Sequence, residues 1–253
     1  MEFLATCHVH SKWSYDGSWS LEALSEKFRR WGSRVLMMTE HDRGFTCERL
    51  QEYREACARV TSDQILVVPG IEYSDAANRV HVLVWGPVPF LGENLPTSEM
   101  LDKARTAGGV AVLAHPSRCD VWKTFDPSWA DRLLGIEVWN RKYDGWAPSQ
   151  TAPALLKTTG TIPFVGLDFH TQRQSFPLTM SLDMTDRVTE DNVLNCLSAR
   201  RCHAHAFGLP LDESQIHKAH PVLNLAEKGR RVVASIARYP RKSARRRAAA
   251  KKS

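Results

Sequence analysis

Six of the ten histidines in this chain fall in five short motifs that also hold acidic residues. In order they are His8-Val9-His10 with Asp16 beyond, Thr39-Glu40-His41-Asp42, Gly70-Ile71-Glu72 with His81 nine residues on, Ala114-His115-Pro116, and Gly166-Leu167-Asp168-Phe169-His170. Alternate residues of an extended strand point to one face, so His8 and His10 can chelate one ion, and Asp168 with His170 repeats that geometry with mixed ligands. Imidazole combined with carboxylate suits Zn, Mn, Fe or Co and is poor for Mg or Ca alone. A single His-x-His reads better as core; five motifs, each where a strand ends or turns, predict a multinuclear metal site. Cys202-His203-Ala204-His205 imitates the pattern, but it follows the last motif with no carboxylate in register, and it reads as structural.

Alternating strands and helices must position these residues. Apolar runs predict strands at Phe3–His8, Arg34–Met38, Gln64–Glu72, Val80–Trp85, Gly109–Ala114, Gly135–Trp139 and Ile162–Val165, with a last surface strand around His203. Helices are expected at Leu21–Phe28, between a Ser20 N-cap and a Gly32 stop, then at Glu48–Val60, Ser98–Thr106, just before Leu134, at Pro153–Thr158 and at Asp191–Arg200. Runs dense in Val, Ile and Leu with little alternation belong to strands buried on both faces, the product of parallel βα units. The expectation is a closed or nearly closed α/β barrel with its site at the C-terminal strand ends. His81 is the exception, at the start of its strand; a hairpin at Asp75–Asn78 would return it to Glu72.

A length of 253 residues permits one large domain, and 43% hydrophobic with 25% charged residues is ordinary globular composition. No apolar stretch approaches the ~20 residues of a membrane span. The motif at His8 leaves no space ahead of it for a signal peptide, so the cytoplasm is the expected location. Cys7, Cys47, Cys57, Cys119, Cys196 and Cys202 form no CxxC pair and are expected as reduced thiols, Cys7 and Cys119 included despite their place beside metal motifs. The net charge of +6 is unevenly spread: eleven Lys and Arg and no acid lie from Lys228 onward, which leaves −5 on the preceding residues. Three parts are expected: a catalytic barrel over 1–210, an extension over 211–227, and a basic, disordered tail over 228–253.

The motifs together resemble the polymerase and histidinol phosphatase (PHP) family over roughly residues 3–207. That family's pattern runs HxHS with a following SDG, TDHD, GxE, a histidine leading an apolar strand, AHP, and GSDxH. Here it is matched by His8-Val9-His10-Ser11, Tyr15-Asp16-Gly17, Thr39-Glu40-His41-Asp42, Gly70-Ile71-Glu72, His81-Val82-Leu83-Val84, Ala114-His115-Pro116 and Gly166-Leu167-Asp168-Phe169-His170. Glu40 stands where the family has Asp, and Leu167 where it has a small residue. The resemblance implies a distorted (β/α)7 TIM-like barrel of the PHP type holding three divalent ions, Zn, Mn or Fe. Carried over, His8, His10, Glu72 and Asp168 hold the first ion, Asp16, His41 and His170 the second, and Glu72, His81 and His115 the third. Glu72 bridges two of them, and Glu72, Asp168 and His170 are the expected catalytic residues.

Adjacent ions lower the pKa of a shared water from 15.7 towards about 7, which gives a bridging hydroxide at neutral pH. The expected reaction is hydrolysis of a phosphate ester, either a phosphomonoester or a nucleotide or oligonucleotide. No P-loop or uninterrupted GxGxxG supports nucleotide-driven or Rossmann chemistry. Arg43 and Arg118, which follow the His41 and His115 motifs, are candidates for bidentate phosphate binding; Arg141, Lys142 and Arg173 read better as solvated loop charges. The alternative is a nucleic-acid-binding accessory protein with a structural metal site and a basic tail that gains affinity by counterion release. Trp13, Trp19, Trp85, Trp139 and Trp146 would then offer stacking faces. An amidohydrolase-type deaminase also uses His-x-His and a late Asp, but needs no Glu72 bridge. The short interval between His81 and His115 leaves little length for a cap domain, which favours an open site.

Overall fold

A computed structural model describes residues 1–185, 187–211 and 221–233. Within it the apolar runs form β1 (Glu2–Val9), β2 (Val35–Met38), β3 (Glu40–His41), β4 (Leu66–Val68), β5 (Gly70–Ser74), β6 (His81–Trp85), β7 (Val110–Leu113), β8 (Gly135–Asn140) and β9 (Ile162–Gly166). Three more follow: β10 (Leu178–Asp183), β11 (Cys202–Ala206) and β12 (Leu209–Pro210). The helices are α1 (Leu21–Arg30), α2 (Cys47–Val60), α3 (Thr97–Thr106), α4 (Ala152–Thr159) and α5 (Glu190–Ser198). Local chemistry sets their limits. Ser20 Oγ accepts from Ala23 N to open α1, Thr46 and Thr189 do the same for α2 and α5, and Gly32 (φ +88°) follows the end of α1.

The result is a mixed α/β molecule with two six-stranded sheets, in the orders β12-β11-β10-β1-β2-β4 and β3-β5-β6-β7-β8-β9. The sheets are joined at two margins. On one side, β2 and β3 are separated only by Thr39, and β4 and β5 only by Pro69, so two strand tracks pass from sheet to sheet. On the other, the segment after β9 bonds to β1: Leu167 N donates to Cys7 O (3.1 Å), Phe169 N to His8 O (3.1 Å) and His10 N to Phe169 O (2.9 Å). Large fully buried side chains, among them Trp85, Trp139, Phe164 and Phe169, fill the core. No helix of the described residues is long and apolar enough to cross a membrane.

Three local expectations are revised. The strands are not uniformly parallel, because β6 runs antiparallel to both β5 and β7. The Asp75–Asn78 turn accounts for this: Asn78 N donates to Asp75 O, and the hairpin register sets His81 opposite Ser74. The second revision is β10, an alternating Leu-Thr-Met-Ser-Leu-Asp strand absent from the expectation, which pairs antiparallel with the start of β1. Third, residues 221–233 are helical and run through the expected start of the tail at Lys228. Glu227 explains why. Its carboxylate accepts from Trp146 N (3.0 Å) and from the Arg230 and Arg231 guanidiniums (each 2.6 Å), one turn along. The remainder of the expected tail, 234–253, lies outside the described residues.

Candidate metal centre

All nine ligand-type side chains, drawn from both sheets and the loops after their strands, converge on one cluster. Glu72, on β5, is at the focus. Its Oε1 lies 2.8 Å from His81 Nδ1, 3.0 Å from His115 Nε2 and 3.4 Å from His8 Nε2, while Oε2 lies 3.1 Å from His41 Nδ1 and 3.4 Å from His10 Nε2. Asp168 is the second shared acid, with Oδ1 3.1 Å from His170 Nδ1 and 3.5 Å from His10 Nε2. Asp16, on the loop after β1, meets His41 Nε2 at 3.3 Å and His170 Nε2 at 3.1 Å. His81 reaches Glu72 across the hairpin.

The backbone is bent to make this convergence. His8, His115 and Asp168 all have positive φ (60°, 26° and 47°), a region that L-residues avoid at a cost of roughly 1–3 kcal/mol each. At His8 the β1–β2 register also shifts between Cys7 and Val9. Such strain persists where surrounding structure over-determines it, as at ligand clamps.

The electrostatics are those of a site built for cations. Burial raises the cost of ionising Glu72 and Asp168, yet the facing histidines, His81 and His8 for Glu72 and His8 for Asp168, hold both carboxyls well below the usual range. Burial likewise opposes protonation of His41 and His170, but their acid partners, Asp16 first, push them up to about 10 and about 9. For His10, burial and the neighbouring His170 prevail and the pKa falls. His8 Nε2 and His10 Nε2 are buried without a hydrogen-bond partner. Buried polar atoms are rarely left so, and these two face acids, the arrangement a bound cation satisfies. The donor atoms of His8, Glu72 and His115, of His8, His10 and Asp168, and of His10, His41 and His170 each lie within 4.8 Å of one another. These residues can hold metal ions, and imidazole with carboxylate is a fitting set for Zn, Mn or Fe.

Three further residues support the site, of which sequence reasoning overlooked Glu137 alone. Glu137, fully buried on β8, accepts from His8 Nδ1, from His115 N and from Asn140 Nδ2, each at 2.8 Å. Gly135-Ile136-Glu137 repeats Gly70-Ile71-Glu72, a signal that could have found it. Glu40 accepts from Ser11 N (3.0 Å), Ser11 Oγ (2.6 Å) and Ser14 Oγ (2.6 Å), and so fixes the loop that carries His10 and Asp16. Lys142, read as a solvated loop charge, instead places Nζ 3.1 Å from Asp168 Oδ1. Burial is the largest influence and disfavours its charge, but Asp168, Tyr143 and Glu72 together outweigh it and raise the pKa.

A cavity of about 350 Å³ opens over the cluster, lined by Tyr15, Asp16, His41, Arg43, Lys142 and Tyr143 among others. Tyr15 stacks on His41, and the Arg43 guanidinium lies 5.5 Å from its ring centre. Arg118 also lines the cavity, but its donors are engaged by Tyr143 Oη, Asn78 O, Arg79 O and Asn78 Oδ1. Arg141 and Arg173 do not line it; Arg141 lies against Phe176 and donates to Arg173 O. Cys202–Ala206 forms β11 in the outer hairpin, with His205 facing Glu2 at 3.5 Å. All six cysteines are free, and Cys7 is buried. Of the tryptophans, Trp85 and Trp139 are core, Trp13 and Trp19 pack partly buried against it, and Trp146 is exposed.

No family model and no curated protein sequence matches the chain. Solved structures do. PsfC from Pseudomonas syringae PB-5123 superposes with a TM-score of 0.60 at 17% identity, over 90% of this chain and 98% of PsfC. The lesion-specific endonuclease EndoQ from Pyrococcus furiosus gives 0.56 at 16% identity, over 79% of this chain and 56% of its own. A candidate metal-dependent phosphoesterase from Bifidobacterium adolescentis gives 0.50 at 18% identity, over 78% and 96%. At such identities the likeness is one of fold. The chain shares its α/β fold with these three structures.

Proposed function

We propose that this chain is a metal-dependent phosphoesterase that hydrolyses phosphate esters at a three-ion site. The observation that carries this reading is Glu72: one buried carboxylate in reach of five imidazoles, with Asp168 and Asp16 closing the cluster from the other side. Held there, divalent ions supply Lewis-acid charge and lower the pKa of a bound water towards about 7. The chain's own residues do the rest. Glu72 and Asp168 stay ionised and shared, the hydrogen bond from His8 Nδ1 to Glu137 turns Nε2 inward, and Arg43 with Lys142 brings positive charge to a cavity open to a phosphate. The bonds between β1 and the segment after β9, and the strand tracks shared by the sheets, support a closed (β/α)7-type barrel distorted by the reversed β6. A phosphoesterase and an endonuclease among the structural neighbours agree with this reaction class.

The test is a substrate screen on metal-reconstituted protein with an aryl phosphate, nucleoside phosphates and short oligonucleotides. Turnover of at least one phosphate ester is expected, and His8→Ala and Asp168→Ala should each abolish it. Normal rates in both variants would make the constellation structural. Amide or amine hydrolysis with every phosphoester intact would point instead to an amidohydrolase.

A further inference from the structure

Building on the phosphoesterase reading, we propose that Lys142 sets the substrate class by binding the second anionic oxygen of a phosphomonoester, so that the site favours dianionic monoesters over diesters. Lys142 stands on the loop that follows β8, and that loop is fixed along its length. Asn140 Oδ1 accepts from Lys142 N (3.0 Å) and Tyr143 N (3.2 Å), Asp144 accepts from Asn140 N (2.8 Å) and Ser117 Oγ (2.6 Å), and Glu227 of the C-terminal helix accepts from Trp146 N (3.0 Å). Gly145, at φ +82°, admits Glu227; a Cβ there would lie 2.5 Å from its carboxylate. Bonds at Asn140, Lys142, Tyr143, Asp144 and Trp146 thus aim one flexible stem into the cavity.

The ammonium reaches where the other cations do not. Lys142 Nζ is 3.1 Å from Asp168 Oδ1 and 3.4 and 3.5 Å from the two ring nitrogens of His170. Arg118 spends its donors on Tyr143 and the turn at Asn78 and Arg79, and Arg43 lies at the rim against Tyr15. Lys142 is therefore the side-chain cation at the floor of the cavity, beside residues proposed to hold ions. A phosphomonoester has a second pKa of about 6 and carries close to two charges at neutral pH. A diester has an ester oxygen in that place and one charge. A lysine at the extra oxygen gains a charge-assisted hydrogen bond from the first and none from the second.

The test uses the full metal-loaded chain with para-nitrophenyl phosphate, bis(para-nitrophenyl) phosphate and inorganic phosphate as inhibitor. Lys142→Met should lower kcat/KM on the monoester roughly 10- to 100-fold, the size of one charged hydrogen bond, and raise the phosphate inhibition constant comparably. On the diester the loss should be smaller than on the monoester by about 3-fold or more on that argument. Lys142→Arg should recover part of the monoester rate, and bound metal, measured by mass spectrometry, should be unchanged in both. Equal losses on the two esters, unaltered monoester kinetics, or lost metal would overturn the assignment of Lys142 alone. Wild-type protein that binds metal and hydrolyses neither ester would overturn the phosphoesterase reading beneath it.

Discussion

Glu137 does not line the cavity over the cluster, yet the geometry of the centre turns on it. One carboxylate fixes the His8 ring through Nδ1 and the strained His115 backbone through its amide. Carboxylate support of a ligating histidine is typically worth 10- to 100-fold in metal affinity. Glu137→Gln, which keeps the shape and loses the charge, should therefore weaken metal binding by about that factor, and Glu137→Ala by more. Competition against a chromophoric chelator measures it; equal affinities in all three proteins would reduce Glu137 to packing. Glu40 is a second case, since its replacement by alanine strands Ser11 N and two hydroxyls. Glu40→Ala should cost about 1–3 kcal/mol in urea unfolding. The nine ligand-type residues stand out in the sequence because histidines and acids recur in short motifs beside apolar runs. Glu137 carries a weaker signal, the Gly135-Ile136-Glu137 repeat of Gly70-Ile71-Glu72, because an acid inside Ile-Glu-Val-Trp also reads as strand core until its partners are known. Lys142 reads as solvated in the sequence, because loop charges usually are.

Strands place these residues, and their crowding makes glycine indispensable at Gly166, beside Glu137 and His8. A Cβ on Gly166 would meet Glu137 Oε1 and lie 2.8 Å from the His8 Cβ, so Gly166→Ala must displace both. Loss of metal binding with the fold retained is expected, read by metal content and circular dichroism; full metal content would show that the strand can shift to accept the methyl. A pH effect belongs to the loop after β8. Burial pushes the Asp144 carboxyl up to about 7, whereas an unfolded aspartate titrates near 3.9. The folded state thus binds the proton more tightly, so the stability linked to this group is complete below about pH 4 and is lost as pH rises through 7. Asp144→Asn should remove that decline, so the difference in Tm between wild type and variant should change between pH 4 and 8; parallel profiles would refute it. Hydrophobic periodicity is blind to strand direction, which is why β6 was found but its reversal depended on the turn at Asp75–Asn78. β10 alternates with period two but holds only three apolar residues, Leu178, Met180 and Leu182, a weaker signal than the continuous apolar runs of the other strands.

At the scale of the whole molecule, two roles compete for the basic segment after Glu227: support of the proposed phosphoesterase site, or binding of a nucleic acid. Charge alone favours the second: the body to residue 227 carries −5 and repels a polyanion, and eight of the eleven terminal Lys and Arg lie beyond Val233. The helix at 221–233 divides the question in two. Arg230 and Arg231 bond Glu227, whose carboxyl is opposed by burial but held by these guanidiniums at about 2. Glu227 in turn anchors the loop bearing Lys142. A chain ending at Val233 should keep its turnover on small phosphate esters within about 2-fold, while any oligonucleotide affinity drops and the slope of log K against log salt flattens by up to ~0.7 per lost phosphate contact. A chain ending at Glu227 should behave differently. It leaves a nearly buried carboxylate without its cations, at a cost of about 1–3 kcal/mol, and loosens the Lys142 loop, so the monoester KM should rise. Were the Val233 truncation itself inactive on small esters, the terminal segment would belong to the active unit, and the view of a self-sufficient phosphoesterase body with an electrostatic tail would have to be given up.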